Sequence, residues 1–342
     1  MDVIQYQNEE SKWDDYVISS DSATGYHQIG WKTVIEQTYG LKSYYLMALE
    51  DERIVGILPL FFIKSRAFGI SLVSLPFLNY GGICADNHKA AESLLRKAAY
   101  LMGELDAQYV ELHHLHKYEF ALSTNEGKVT LLLRLDSDPD TLWKGFRPKV
   151  RNQVRKAARS GLEVRIGGID YLDDFYDAFA VNMRDLGSPV HSKALFENLL
   201  HGFPDSTRIF MVYLESETVG GAIFISFKDI VEVPWASSKR EYFQFSPNNL
   251  LYWEVIKYAC EKGFNYFDFG KSSWNSGTFR FKKQWGAEPK QLYSQYYLSP
   301  GALMPEVNHT SLKDRVAIGV WKRLPLRVTK ALGPRVRKNI SS

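Results

Sequence analysis

The segment Gly277 to Gly286 reads GTFRFKKQWG. Arg280, Lys282 and Lys283 are interleaved there with Phe279, Phe281 and Trp285, and Lys271 stands just upstream. A core strand has no use for the charges, and a solvated loop has none for the aromatics. The mixture suits a ligand that is flat, anionic or both, because aromatic faces stack a base while cations hold phosphates. A lysine drawn into a desolvated pocket also stabilises the oxyanion that develops on an attacked carbonyl. The segment follows FNYFDFG, read as a strand ending at Asp268 and Gly270. Ligand sites in α/β units favour such strand ends. Gly277 and Gly286 permit the tight backbone of a loop here. The competing structural reading is a surface hairpin whose aromatics face the core.

A second candidate lies in TLWKGFRPKVRNQVRKAARSGLEVR, where Lys144 to Arg159 holds seven basic residues and no acidic one. Pro148 suits a first helical turn and Ser160-Gly161 an end. Val150, Val154 and Ala157/Ala158 would make one face, while Arg151, Arg155 and Arg159 repeat at every fourth position on another. Like charges at that spacing repel, so Arg151, Arg155 and Arg159 read as a fork for phosphate, with a solvated charged face as the alternative. A third candidate is NMRDLGSPVHS. Asp185 there is either a general base or the partner of Arg184, and Gly187 and Pro189 break the helix before it. Trp235 and two serines in EVPWASSKREYF follow an apolar strand and make a fourth. His113, His114 and His116 sit at the end of one strand on alternating sides, which fits satisfied or exposed histidines better than a metal site. No P-loop, GxGxxG, GxSxG or HExxH pattern occurs.

These residues need a scaffold, and 342 residues with 45% hydrophobic content supply one or two cores. YYLMALEDERIVGILPLFF, then AAESLLRKAAYLMGELDA and YVELHH, are echoed by IFMVYLESETVGGAIFISF, NNLLYWEVIKYACEKG and FNYFDFG. Each set reads strand, acidic turn, Val-Gly strand, amphipathic helix, short strand. Val55-Gly56 corresponds to Val219-Gly220, and Tyr109-Val110-Glu111-Leu112 to Tyr266-Phe267-Asp268-Phe269. The pattern predicts a duplicated α/β unit with mixed sheets flanked by helices. The expected division is 1–140, 141–300 and a tail at 301–342.

That tail concentrates the charge. Residues 313–342 carry nine Lys/Arg and one acid, a net of +8 against +3 for the whole chain. Val316, Ile318, Val320, Trp321, Leu324 and Leu326 are mixed among the cations, while Pro325 and Pro334 interrupt. The segment reads either as a surface anchor for anionic lipid or as a tail docked on its own domain. Two distant cysteines, no basic leader and no apolar run of about 18 residues fit a cytoplasmic protein, peripheral to the membrane at most.

RPKVRNQVRKAARSGLEVR and FDFGKSSWNSGTFRFKKQWGAEP resemble segments of the FemAB (FemABX) family of aminoacyl-tRNA-dependent transferases. SLPFLNYGG, NMRDLGSPV, PWASS, NNLLYW and GTFRFKKQWGAEP together resemble its subfamily associated with exosortase and exopolysaccharide systems, over about Trp13 to Tyr297. The resemblance implies two tandem GNAT-like domains. It also implies an acyltransferase that moves an aminoacyl or acyl group onto a cell-envelope precursor, such as a peptidoglycan stem peptide or an exopolysaccharide intermediate. The family's Phe-Lys pair falls on Phe281 and Lys282, with Lys282 beside the transferring ester. Its basic segment falls on Lys149, Arg151 and Arg155, beside a precursor diphosphate or tRNA. Asp185 is the expected proton acceptor. Arg184, Trp235, Asn249, Lys271, Arg280 and Trp285 complete the expected substrate contacts. No resident cofactor is expected; aminoacyl-tRNA or acyl-CoA is the co-substrate, and the acceptor is a lipid-linked or nucleotide-linked precursor. No long helical arm for tRNA is visible. The GNAT glycine cradle for CoA is replaced by REYFQFSPNN, where Pro247 has no N–H to offer. The rivals are an acyl-CoA-dependent acetyltransferase of exopolysaccharide sugars and a non-catalytic glycan- or tRNA-binding module. A closed pocket around Lys282 would favour an enzyme, and an open basic face would favour binding.

Overall fold

The computed structural model describes residues 1–8, 10–65, 69–305 and 312–340. Period-two and helical apolar patterns become, in order, β1 (Asp2–Gln5), α1 (Glu10–Ser19), α2 (Gly30–Tyr39), β2 (Lys42–Glu50), β3 (Arg53–Ser65), β4 (Gly69–Ser74), β5 (Cys84–Ala85), α3 (His88–Glu104), β6 (Tyr109–His114) and β7 (Ser123–Asn125). The chain continues through β8 (Lys128–Arg134), α4 (Pro139–Gly145), α5 (Pro148–Arg159), β9 (Leu162–Gly167), α6 (Leu172–Leu186), α7 (Lys193–Gly202), β10 (Thr207–Leu214), β11 (Glu217–Phe227) and β12 (Ile230–Ser238). It closes with α8 (Pro247–Glu261), β13 (Tyr266–Asp268), β14 (Ser272–Ser273), α9 (Gly277–Lys283), β15 (Glu288–Gln291), β16 (Tyr293–Leu298), α10 (Leu312–Trp321) and α11 (Leu326–Arg337).

Two units emerge, one from residues 1–128, 291–308 and 338–342, the other from 129–290 and 309–337. The first contains a sheet in the order β1-β2-β3-β4-β6-β16-β7, with β5 beside β3. The second contains β14-β8-β13-β12-β11-β10-β9, with β15 beside β8. The expected border after residue 140 therefore moves back. β8 pairs with β13 in the second sheet, and β16 returns to pair with β6 and β7 in the first. Strand pairing sets the border, and the pairing partner of a short strand is not written in its local sequence.

The duplication is a property of both sheets. β2-β3-β4-α3-β6 repeats as β10-β11-β12-α8-β13, and in each case the last strand runs parallel to the third. A parallel neighbour requires a crossover, which α3 and α8 provide. Val73 faces Glu111 across the first parallel pair and Glu232 faces Asp268 across the second. Leu94, Ala98, Leu72, Val110 and Leu112 pack between α3 and its sheet. Leu251, Val255, Ala259, Val231, Val233 and Phe267 do the same beneath α8.

In the first unit two of the three strand-end histidines make structural hydrogen bonds, although His113 Nδ1 is buried without a partner. The Ile83 N–H donates to His114 Nε2 at 2.9 Å, and His114 Nδ1 meets Gln295 Oε1 at 3.1 Å. His113 Nε2 lies 2.9 Å from Glu111 Oε1, to which Tyr296 also donates its hydroxyl. A Cβ on Gly82 would sit 2.3 Å from the His114 ring, so only glycine lets the chain pass so close.

Candidate active site

The second sheet opens where β12 and β13 part. Ile230, Val231 and Glu232 face Tyr266, Phe267 and Asp268; β13 then ends, whereas β12 runs on to Ser238. Phe267 and Phe269 belong to the core beneath α8, so the alternating Asp268 points to the opposite face. Both carboxylates are buried, side by side on adjacent strands. Thr130 donates its hydroxyl to Asp268 Oδ1, and so does the Gly270 N–H at 2.7 Å. That second bond closes a tight turn at Gly270, whose φ of +73° suits glycine.

The turn presents two carbonyls to Lys282. Its Nζ donates to Gly270 O at 2.8 Å and to Lys271 O at 3.1 Å. An ammonium has three N–H groups, so one remains for a ligand. The side chain is 7% exposed. Burial pulls its pKa down from 10.5 to about 8, against the opposing pull of Asp268 and Glu232.

The segment that carries Lys282 is a helix, where the sequence reading expected a loop. Ser276 caps it by accepting the Phe279 N–H at 3.1 Å, Gln284 forms its C-cap, and the chain turns away at Gly286 with a φ of +86°. The helical pitch sorts the mixture that alternation had left ambiguous. Lys282 turns inward, Arg280 and Lys283 face solvent, and Arg280 donates to Asn275 O. Phe281 meets the Tyr252 ring at 5.4 Å, and Trp285 meets Phe146 edge-on at 5.2 Å. The aromatics therefore seat the helix, and Lys271 contributes its backbone carbonyl.

Ser272 Oγ and Trp285 Nε1, close in sequence to Lys271 and Lys282, and Asn249 Nδ2 of α8 are buried without a hydrogen-bond partner. Asn249 lies in the first turn of α8, three residues before Tyr252, which stacks on Phe269 at 5.3 Å. Hydroxyl, indole and ammonium all offer hydrogens, which suits a ligand rich in acceptor oxygens. Leaving such donors buried and unmatched costs stability, which a bound ligand would restore.

The other expected residues are distributed around the same unit. Val150, Val154 and Ala157 of α5 are buried, and Arg151 keeps an unpartnered buried Nε. Arg155 lies over the Trp143 ring at 5.5 Å, and Lys149 is exposed. Gln153 accepts from Ser246 at the start of α8, tying α5 to that helix. Arg184 Nε and Nη2 both donate to Asp185 Oδ1, at 2.9 and 2.7 Å, so the Asp185 carboxylate is engaged by its neighbour. Asn182, one turn earlier on α6, donates to Ser237 at the far end of β12. Trp235 is a core residue, edge-on to Phe196 at 5.3 Å and near His191. Thr130, Glu232, Asp268 and Ser272 were not singled out as site residues. A charged residue inside the apolar runs IVEV and YFDF was the available signal for two of them.

Residues 144–283 match the family model described as an acetyltransferase (GNAT) domain. Among solved structures, FemX aligns with 87% of this chain and 98% of its own at a TM-score of 0.69 and 16% identity. This chain has a FemAB-like tandem GNAT fold. A tandem GNAT protein from the clavulanic acid biosynthesis pathway aligns with 86% of this chain and 97% of its own, at TM-score 0.57 and 10% identity. L-PGS from Bacillus licheniformis covers 91% of this chain and 96% of its own, at TM-score 0.51 and 12% identity. At these identities the likeness is one of fold, and no curated protein sequence matches. In the tandem GNAT fold of this chain, the glycine cradle expected before α8 is a 3-10 turn over Arg240–Phe245. Ser246 follows at a φ of +59°, and Pro247 opens the helix.

Proposed function

We propose that the protein is a GNAT-type acyltransferase that moves an aminoacyl or acyl group onto an amine or hydroxyl of a cell-envelope precursor. The observation that carries this reading is Lys282, held on two carbonyls at a strand end with one N–H unspent. In the proposed step the acceptor's lone pair forms a bond to the acyl carbon, and the carbonyl oxygen takes the displaced electron pair. Lys282 donates to that oxyanion, with Asn249 and Ser272 as further donors to the acyl group. Collapse breaks the bond to the donor's oxygen or sulfur, which leaves with the proton lost by the acceptor. Asp185 is not assigned that proton, because Arg184 holds its carboxylate. Arg151, with its unpartnered Nε, holds a phosphate of donor or acceptor.

The buried position of Lys282 favours chemistry over a non-catalytic binding module, whose cations would lie on an open face. An ester donor such as aminoacyl-tRNA is preferred over acyl-CoA, because Pro247 replaces an N–H of the glycine cradle. The match to the acetyltransferase domain model supports acyl-CoA as the second reading. Separate titrations of purified protein with aminoacyl-tRNA and acetyl-CoA distinguish them. Saturable tRNA binding, weakened in Arg151→Ala, is the expected result. Binding of acetyl-CoA alone would replace the donor assignment with a CoA-dependent one.

A further inference from the structure

The two C-terminal helices pack against α6 and the residues that follow it. Gly187 ends α6 at a φ of +79°, and a Cβ there would lie 2.5 Å from Ile318 Cγ2 of α10. A Cβ on Gly333 of α11 would lie 2.7 Å from Val190 Cγ1 and 2.9 Å from its backbone N. Lys330 pairs with Asp177 of α6, and Arg337 donates to His191 Nε2 at 3.3 Å. The motif NMRDLGSPVH, read from sequence as a catalytic candidate, thus forms the seat for the tail. The tail is two helices divided before Leu326 at Pro325, while Pro334 is tolerated inside α11, where in the last turn its missing N–H forfeits a single helical bond.

Docking leaves aliphatic side chains of both helices exposed. Val316 and Val320 lie opposite Ile318 on α10 at 100° per residue, and they are 58% and 54% exposed. Leu332 and Val336, also one turn apart, flank the docked face of α11 at 42% and 40% exposure. Around them Arg315, Lys322, Arg323 and Arg327 form no ion pair among the described residues. No helix among the described residues is long and apolar enough to cross a membrane.

We infer that α10 and α11 form a docking surface for an anionic bilayer. The aliphatic pairs enter the headgroup boundary while the unpaired cations meet lipid phosphates. Charge complementarity excludes a neutral surface, and exposed valines and leucine would gain nothing against a nucleic-acid backbone. The inference goes beyond the acyl-transfer reading and does not depend on it.

Co-sedimentation with vesicles tests it, using phosphatidylcholine alone and with about 30% phosphatidylglycerol. The full chain binds the anionic vesicles, and raising salt from about 0.1 M to 0.5 M weakens that binding. Arg315→Glu with Arg323→Glu lowers the partition coefficient by about tenfold or more. Val316→Asp with Val320→Asp lowers it similarly while the thermal melting point stays unchanged, since all four side chains are exposed. Equal partition onto both vesicle types, no partition at all, or variants that bind like wild type would overturn the inference. So would a surface occupied instead by RNA, or by a second copy of the chain in light scattering.

Discussion

At the residue scale the account rests on a lysine whose charge is costly to keep. Its pKa near 8 reflects burial first, and the carboxylates of Asp268 and Glu232 only partly compensate. Between about pH 8 and 10.5 the unfolded chain holds a proton that native Lys282 has lost. Stability therefore rises with pH across that window. Urea unfolding of Lys282→Met should lack this rise, and an unchanged pH dependence would show that the lysine is not desolvated. As oxyanion donor the lysine must be protonated, so transfer should decline as pH climbs through about 8, with the limb moving upward in Lys282→Arg. A cation among aromatics marks the segment as anomalous in the sequence, while the Phe281-Lys282 pair itself is named only by the resemblance. The sequence did not show that Gly270 O and Lys271 O anchor the ammonium, since backbone carbonyls carry no residue signature. Trp235, expected among the substrate contacts, is instead packed edge-on against His191 and Phe196.

At the scale of elements, the strands and crossover helices of the repeated unit could be read, and one decisive element could not. GTFRFKKQWG gives period-two alternation over Phe279, Arg280 and Phe281, which argues for a strand or loop. The Ser276 cap and the seat on Tyr252 and Phe146 settle it as helix. Ser276→Ala should cost about 1 kcal/mol of helix stability. Because α9 positions Lys282, steady-state kinetics should show the loss mainly in kcat; a change in KM alone would assign the helix to binding. The basic helix α5 matched its expected span because proline at its start and Ser160 at its end are local signals. Gly187→Ala should destabilise the protein by about 1–3 kcal/mol, through its left-handed φ and the clash with Ile318. Thermal denaturation measures this, and a neutral substitution would show that α10 does not pack there.

At the scale of the whole molecule, duplication explains both the likeness of the halves and their divergence. Glu111 and Asp268 occupy the same place in the two sheets. Glu111 is used by His113 and Tyr296, whereas Asp268 supports the turn beneath Lys282. The repeat was legible from the Val-Gly strands and acidic turns, but the exchange that sends β16 back to the first sheet was not. The same contrast governs pH behaviour. Burial lowers the pKa of His114 from 6.5 to about 3, and His191 is also held neutral by burial and by Arg337. Below about pH 6.5 the unfolded chain takes up protons that these histidines refuse, so stability falls as pH drops toward about 3. His114→Gln should flatten that fall, as read by denaturant midpoints across the range; an unaltered slope would place the acid sensitivity elsewhere.

The most direct test of acyl transfer at the Lys282 corner is the single-turnover rate of donor consumption in wild type and Lys282→Met. Aminoacyl-tRNA and acyl-CoA would each be supplied with an envelope-precursor acceptor, and donor affinity measured alongside. Loss of about 10²–10³-fold in rate with donor binding retained is the predicted result. Full activity in Lys282→Met would contradict the account.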